Sequence, residues 1–311
     1  MCNNKEVIII AGVGNLGKYL VEELAADKGY DVVVLSRKKS QWLAERQVDV
    51  QITDYTEESI LAILDSTNCK ALVSFLNPPG NLYLNIHKSL LNACVRSRTC
   101  KHFIPSEWIG NSEDYPLLPR FYGETREPFR KLLRDSSIQW TLFNGGWLMD
   151  YFLPQEKTHM PPIPAEFPVD PNNSRACIRG TGDELQSWTS ARDIARAVVV
   201  LLGVHEWDTV TYVAGEWSTF NEAVKRIELF QGQPLETTYK SKDKILEFIN
   251  NNDQLELSHD MEIALVEEWM ISGAAACPRE KTLLQKEKYF KSVKFFSLQE
   301  MLQHAEKVDF V

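Results

Sequence analysis

Glu6-Val7-Ile8-Ile9-Ile10-Ala11 runs straight into Gly12-Val13-Gly14-Asn15-Leu16-Gly17. From Val7 the first stretch is apolar and largely β-branched at successive positions, the pattern of a strand buried on both faces of a parallel sheet. The second stretch spaces three glycines as G-x-G-x-x-G, and Leu16 to Ala26 then carries apolar residues at helical intervals. Strand, glycine turn and helix in that order are the fingerprint of a dinucleotide-binding turn. Gly12 permits the tight turn, Gly14 lets the backbone approach a pyrophosphate, and Gly17 allows close helix–strand packing. Asn15 and Leu16 open the helix, whose N-terminal amides and dipole favour an anion.

The alternation continues outward from that unit. Strands are expected at Asp31 to Leu35, Val48 to Ile52, Ala71 to Phe75, His102 to Pro105 and Ile138 to Phe143, with helices at Glu57 to Leu64, Leu82 to Val95 and Glu127 to Asp135. Repeated β-then-α order with few hairpin signals predicts an α/β chain, a Rossmann-type doubly wound parallel sheet. After Asn144, prolines at 154, 161, 162, 164, 168 and 171 punctuate a segment without periodicity, expected to be an irregular lid. A helix at Ala191 to Leu202 and a strand at Thr209 to Ala214, expected to rejoin the sheet, follow. Helical periodicity then recurs at Asn221 to Phe230, Lys242 to Ile249 and Leu255 to Ile271, with a polar break at Asn250 to Asp253. This divides the chain into a nucleotide-binding domain over 1–150, with the elements near 189–215 rejoining it, and a smaller, mainly helical substrate lobe over 151–311.

A length of 311 residues, 44% hydrophobic and 25% charged, is ordinary globular composition and argues against a disordered or fibrous chain. The net charge of -9 argues against a general nucleic-acid binder, which needs a basic face. The N-terminal residues show no basic n-region followed by a long apolar h-region. The best apolar run, Ala195 to Gly203, contains Arg196 and is too short to span a bilayer. A cytoplasmic protein with a small-molecule substrate and neither nucleic-acid nor membrane partner is expected. Six scattered cysteines without a CxxC pair read as reduced structural thiols, and six dispersed histidines give no metal-ligand spacing.

The end of the second strand discriminates between cofactors. Leu35-Ser36-Arg37-Lys38-Lys39 lacks the acidic residue that accepts the ribose hydroxyls of NAD, so NADP(H) is expected. Arg37 can present its fork to a 2′-phosphate, Ser36 can donate a hydrogen bond and Lys38 can add charge. Asp54, after the third strand, either faces the adenine amino group or closes a turn. Asn77 and Pro78 follow the fourth strand, where loops line the crevice at the carboxyl ends of a parallel sheet.

Gly12 to Gly17, Ser36-Arg37, Leu72 to Pro78 and Phe103-Ile104-Pro105-Ser106-Glu107-Trp108, taken together, resemble the NmrA-like and isoflavone-reductase-like branch of atypical short-chain dehydrogenases/reductases. The resemblance covers nearly the whole chain and implies an NADPH-dependent reductase of a small aromatic or heterocyclic metabolite, acting on C=C, C=O or C=N. Its members typically use a lysine in a K-x-x-[IV]-R pattern; Arg126-Glu127-Pro128-Phe129-Arg130 stands at that place, with arginine for lysine. Arginine stays charged in proteins and is no ordinary general acid. Tyr122-x-x-x-Arg126 resembles the Y-x-x-x-K pair of the wider superfamily. Tyr122 would then donate a proton with Ser106 as hydrogen-bond partner and Arg126 stabilising a tyrosinate; alternatively both residues only pack. Glu107 is a further candidate acid/base group, or else an arginine's partner. Asn144 corresponds to the family's substrate loop, and Trp108, Trp147, Tyr151 and Trp188 form candidate walls for an apolar substrate. Two other functions share these features: a cyclase or isomerase using acid/base groups without hydride transfer, and a regulator that senses NADP.

Overall fold

The computed structural model describes residues 5–252 and 258–311. The expected helical start at 255–257 and the last residue of the polar break, Asp253, lie outside the described residues, as does Cys2. In chain order the first elements are β1 (Glu6–Ala11), α1 (Asn15–Ala26), β2 (Tyr30–Ser36), α2 (Gln41–Glu45), β3 (Asp49–Ile52), α3 (Glu57–Ser66), β4 (Cys69–Ser74), α4 (Asn81–Arg96) and β5 (His102–Ile104). Then come α5 (Tyr122–Thr125), α6 (Glu127–Arg134), β6 (Gln139–Trp140) and β7 (Leu142–Asn144). β1 to β6 form one six-stranded sheet in the order β3-β2-β1-β4-β5-β6, parallel at every pairing. The chain order reverses at β1, between β2 and β4, the crossover point where doubly wound sheets open a crevice at their carboxyl ends. Ile8, Ile9 and Ile10 of β1 are wholly buried, which explains the uniform apolar run. Each contributes about 1.5–3 kcal/mol relative to exposure.

The contacts divide the described chain into two compact units. The first comprises the chain up to Glu107, Gly123–Phe143 and Ala195–Thr211, and contains this sheet. Its last expected strand is split. Thr141 N–H still donates to the Phe103 carbonyl, but Leu142 N–H donates to Thr209, so the chain changes partner within one residue. β7 therefore pairs with β12 (Val210–Tyr212) in a separate two-stranded ladder, and the strand expected over 209–214 adds no member to the six-stranded sheet.

The second unit comprises Trp108–Tyr122, Asn144–Ile194 and Tyr212–Val311. It holds more β-structure than its sequence suggested: β8 (Trp147–Leu148), β9 (Val169–Asp170), β10 (Arg175–Arg179), β11 (Gln186–Thr189), β13 (Glu216–Ser218) and β14 (Glu236–Lys240) build two three-stranded sheets, β14-β10-β9 and β13-β11-β8. These strands of two to five residues are too short to show a period. The helix α7 (Ala191–Leu202) has the expected bounds, and α8 (Phe220–Gln231), α9 (Lys242–Asn252), α10 (His259–Ile271), α11 (Arg279–Tyr289) and α12 (Leu298–Ala305) follow. The polar break at 250–252 is helical instead. α9 runs through these residues of low helix propensity, and the Asn252 side-chain amide donates to the Phe248 carbonyl at 2.7 Å.

Candidate active site

The three glycines of the turn differ in their physical roles. Gly12 has φ +78°, a backbone that favours glycine, and a Cβ there would lie 2.5 Å from Leu76 Cδ2, so that leucine end would have to shift. A Cβ on Gly17 would meet the Gly12 carbonyl oxygen and Phe75 Cδ2, each at 3.1 Å, because α1 lies directly against the ends of β1 and β4. Gly14 is the N-cap of α1 with φ -80°, it supplies no side-chain cap, and a Cβ there would meet nothing within 4 Å. Open space beside a helix N-terminus, at the carboxyl end of the central strand, is what a pyrophosphate needs.

At the end of β2, Arg37 and Lys38 are exposed and form no ion pair among the described residues, leaving both cations available. Ser36 is less available: its hydroxyl donates to the Lys38 carbonyl at 2.7 Å and accepts from Lys38 N–H at 3.3 Å, so it shapes the basic loop. Tyr55, at φ +62°, donates its hydroxyl proton to the Leu35 carbonyl at 2.9 Å, and burial pushes its pKa up to about 12. Asp54 Oδ1 accepts from the Thr56 amide at 3.0 Å and the Thr56 hydroxyl at 2.8 Å. Those bonds hold its carboxyl below the usual range and make it a turn residue ahead of α3, which Thr56 caps.

The carboxyl ends of β4 and β5 are joined through two α4 residues that the sequence reading did not single out. Tyr83 stacks on His87 with ring centroids 3.8 Å apart, and its hydroxyl donates to the Ser106 carbonyl at 2.9 Å. His87 is wholly buried. Its Nε2 accepts from the Ser106 amide at 3.4 Å, so the ring proton sits on Nδ1 and is donated to the Tyr83 carbonyl at 3.0 Å. Ser74 Oγ lies 3.1 Å from Nε2 and accepts from the Leu76 amide at 3.3 Å. Burial, aided by the Arg126 charge, lowers the His87 pKa to about 3. His87 is therefore a neutral brace between two strand ends. The other face of Tyr83 carries the Arg126 guanidinium, 3.3 Å from the ring centroid, and Arg126 Nη2 donates to Asn77 Oδ1 at 2.5 Å. Asn77, Ser106 and Arg126 thus meet one support, and the Tyr83-x-x-x-His87 spacing, one face of a helix after Pro78-Pro79-Gly80, was the available signal.

Other expected site residues have different surroundings. Glu107 is clamped by Arg130, with Nε to Oε1 at 3.1 Å and Nη2 to Oε2 at 2.7 Å, both side chains buried. Each Glu107 oxygen thus accepts from Arg130, and the carboxylate is the buried partner of that guanidinium. Tyr122 is buried at the start of α5, edge-to-face with Phe121 at 5.1 Å. Tyr122 and Arg126 do not share one continuous helix, since α5 ends at Thr125 and Arg126 is the N-cap of α6. Pro128 has no N–H to donate back to Glu124, which breaks the helix there. Trp108 has φ +52°, a left-handed kink directly after Glu107. Asn144 is an anchor: fully buried, it donates to Ser112 Oγ at 2.8 Å and accepts from Ile109 N–H at 3.3 Å. Trp188 is a correction to the pocket-wall expectation. It is 0% exposed, packed edge-to-face on Phe152, and belongs to the second unit's core. Trp147 sits in the same core, 5.1 Å from Trp269. Tyr151 borders a cavity of about 20 Å³ with Phe167 and Ile163, room for a water and little more.

A parallel sheet whose strand order reverses beside a glycine turn, with a basic loop ending the next strand, defines a Rossmann-type fold. The NmrA-like family model matches residues 3–291, and the chain belongs to that family. Oxidoreductase swnR of Arthroderma benhamiae is 33% identical over 301 residues, 95% of this chain and 96% of that protein. Oxidoreductase swnR of Metarhizium robertsii is 33% identical over 302 residues, again 95% and 96% of the two chains. The solved structure of AtPrR2 with NADP+ and (+)pinoresinol superposes with a TM-score of 0.73 at 18% identity, covering 97% of this chain and 98% of that one. The ternary complex of leucoanthocyanidin reductase from Vitis vinifera gives 0.70 at 19%, covering 96% and 98%. These structural likenesses establish the fold. Among the described residues, no helix is long and apolar enough to cross a membrane, and no group of three or more His, Cys, Asp or Glu could hold a metal ion.

Proposed function

We propose that the chain is an NADP(H)-dependent oxidoreductase that reduces a C=C, C=O or C=N bond of a small aromatic or heterocyclic metabolite. The observation that carries the cofactor is the open space at Gly14, between Gly12 with its φ of +78° and Gly17 packed on Phe75, beside a basic loop with unpaired Arg37 and Lys38. The residues fit a 2′-phosphorylated dinucleotide: α1 amides for the pyrophosphate, and Arg37 and Lys38 for the 2′-phosphate. The oxidoreductase names of the swnR relatives and the NADP+-bound AtPrR2 neighbour support the same reading.

Bound there, the nicotinamide supplies hydride. The chain's own residues do the rest. Asn77 and Arg126 end the crevice with a cation, whose guanidinium rests on the Tyr83 ring and donates to Asn77. Arg126 remains charged and stabilises negative charge that develops on the substrate, leaving proton delivery to Tyr122. Glu107 serves as the buried counter-ion of Arg130, positioning the Ser106 segment. Domains 1–150 and 151–311 are proposed to divide cofactor and substrate binding between them.

NADP+ and NAD+ titrations of wild type and Arg37→Ala test the cofactor assignment. The substitution is expected to weaken NADP+ by at least about tenfold, the loss of one charge-assisted contact, and to leave NAD+ unchanged. Equal losses for both would refute it. NADPH oxidation by a panel of aromatic and heterocyclic substrates, with Tyr122→Phe as the inactive control, tests hydride transfer; product formation without reduced cofactor would instead support the cyclase or isomerase reading.

A further inference from the structure

The second unit contains a cavity of about 320 Å³ lined by the segment Tyr212–Trp217, one face of α11, and Phe290 and Phe295 beyond it. None of its residues belongs to the glycine turn, the basic loop or the Tyr83–His87 support. Its aromatic walls are fixed in place. Trp217 Nε1 donates to the Cys277 carbonyl at 2.8 Å, and Phe290 is wholly buried beneath the cavity.

The charge of the lining is one-sided in a chain of net charge -9. Arg279 and Lys286, seven residues apart on α11, share one helix face about 10 Å apart along its axis. Arg279 lies 5.7 Å from the Trp217 ring and Lys286 5.4 Å from that of Phe295. Neither forms an ion pair with a carboxylate among the described residues. The one acidic lining residue, Glu216, is already neutralised: one oxygen meets Arg226 and the other accepts from the Leu298 amide at 2.9 Å. Neighbouring cations behave differently, since Lys281 pairs with Glu113 and Lys294 with Glu300.

We infer that this cavity is a second ligand site, for a flat aromatic carboxylate. The volume reaches the lower end of small-molecule pockets, about 300 Å³. The ring lies against Trp217 and Phe295, and the carboxylate is met by Arg279 or Lys286 without displacing an existing counter-ion.

2-Naphthoate is the probe, titrated calorimetrically into the full chain with saturating NADP+ present. One saturable site is expected, binding at least about tenfold tighter than the neutral 2-naphthamide, as a charge-assisted contact requires. Arg279→Gln with Lys286→Gln should weaken naphthoate by about tenfold or more and leave naphthamide unchanged. Both positions are exposed on a helix surface, so folding is preserved; the thermal melt of the double variant confirms it. No saturable binding, equal affinity for acid and amide, or undiminished binding by the double variant overturns the inference. Displacement of naphthoate by NADP+ in a parallel titration would assign the binding to the glycine turn and overturn it equally. A failed NADP+ assignment would leave this result intact, because the naphthoate measurements can be repeated without cofactor.

Discussion

Replacing Gly14 and Gly12 in turn by alanine separates binding from stability. At Gly14 the backbone, φ -80° and ψ -163°, is one that alanine adopts freely, and the new methyl meets nothing within 4 Å. Removing a glycine at a compatible position stabilises a chain by about 0.4–1 kcal/mol through the unfolded state. Gly14→Ala should therefore be as stable as wild type or slightly more so. The methyl nevertheless occupies the space that the pyrophosphate would enter, and NADP+ affinity should fall by at least about tenfold, about 1.4 kcal/mol. At Gly12 the φ of +78° adds about 1–2 kcal/mol of backbone strain to any side chain. The 2.5 Å approach to Leu76 Cδ2 adds about 1–2 kcal/mol of overpacking, moderated because a leucine end can shift. Gly12→Ala should thus lose about 2–4 kcal/mol of stability. Urea denaturation of both variants, paired with NADP+ calorimetry, reads the two effects apart. If Gly14→Ala bound NADP+ like wild type, or Gly12→Ala unfolded at the wild-type midpoint, the assignment of roles within the turn would be wrong.

Two further outcomes follow from buried groups. Glu107→Gln leaves Arg130 without its buried counter-ion and should cost about 3–5 kcal/mol, whereas the double change with Arg130→Met should recover most of the loss in urea denaturation. His87 has a folded-state pKa depressed to about 3 against an ordinary value of about 6.5, so the unfolded chain binds the extra proton between those values. Stability should fall as pH drops through that window, by up to about 1.4 kcal/mol per pH unit, and His87→Leu should flatten this part of the profile while lowering stability at neutral pH.

The first unit was legible because its signals are local. β1 and α7 have the expected bounds, and β2 and α1 differ from expectation only at their ends, since uniform apolar strands and periodic helices declare themselves over six or more residues. The glycine turn was legible for the same reason. The split at Thr141 was not, because the sequence from Ile138 to Phe143 reads identically whether the strand keeps one partner or changes it. The short strands of the second unit take their structure from pairing rather than propensity. Among site residues, Asp54, Glu107 and Trp188 each admitted two readings. In the structure Asp54 accepts from Thr56 two positions away, Glu107 pairs with Arg130 of α6, 23 residues on, and Trp188 packs on the Phe152 ring in the core. His87 and Tyr83 were missed because a tyrosine and a histidine on an amphipathic helix declare no purpose until the strand ends they touch are known.

The order of the six-stranded sheet has a consequence for self-association. Its longest strands, β1, β2 and β4 with six, seven and six residues, stand inside, while the flanks are β3 with four and β6 with two. An exposed flank is a template on which a stray strand can add, and its reach grows with the row of unpaired amides and carbonyls it presents. Here that row is short on both sides, and on β3 it carries Asp49, whose charge discourages an apolar newcomer. The partner change at Thr141 truncates the second flank just where it would otherwise have lengthened into a sticky border.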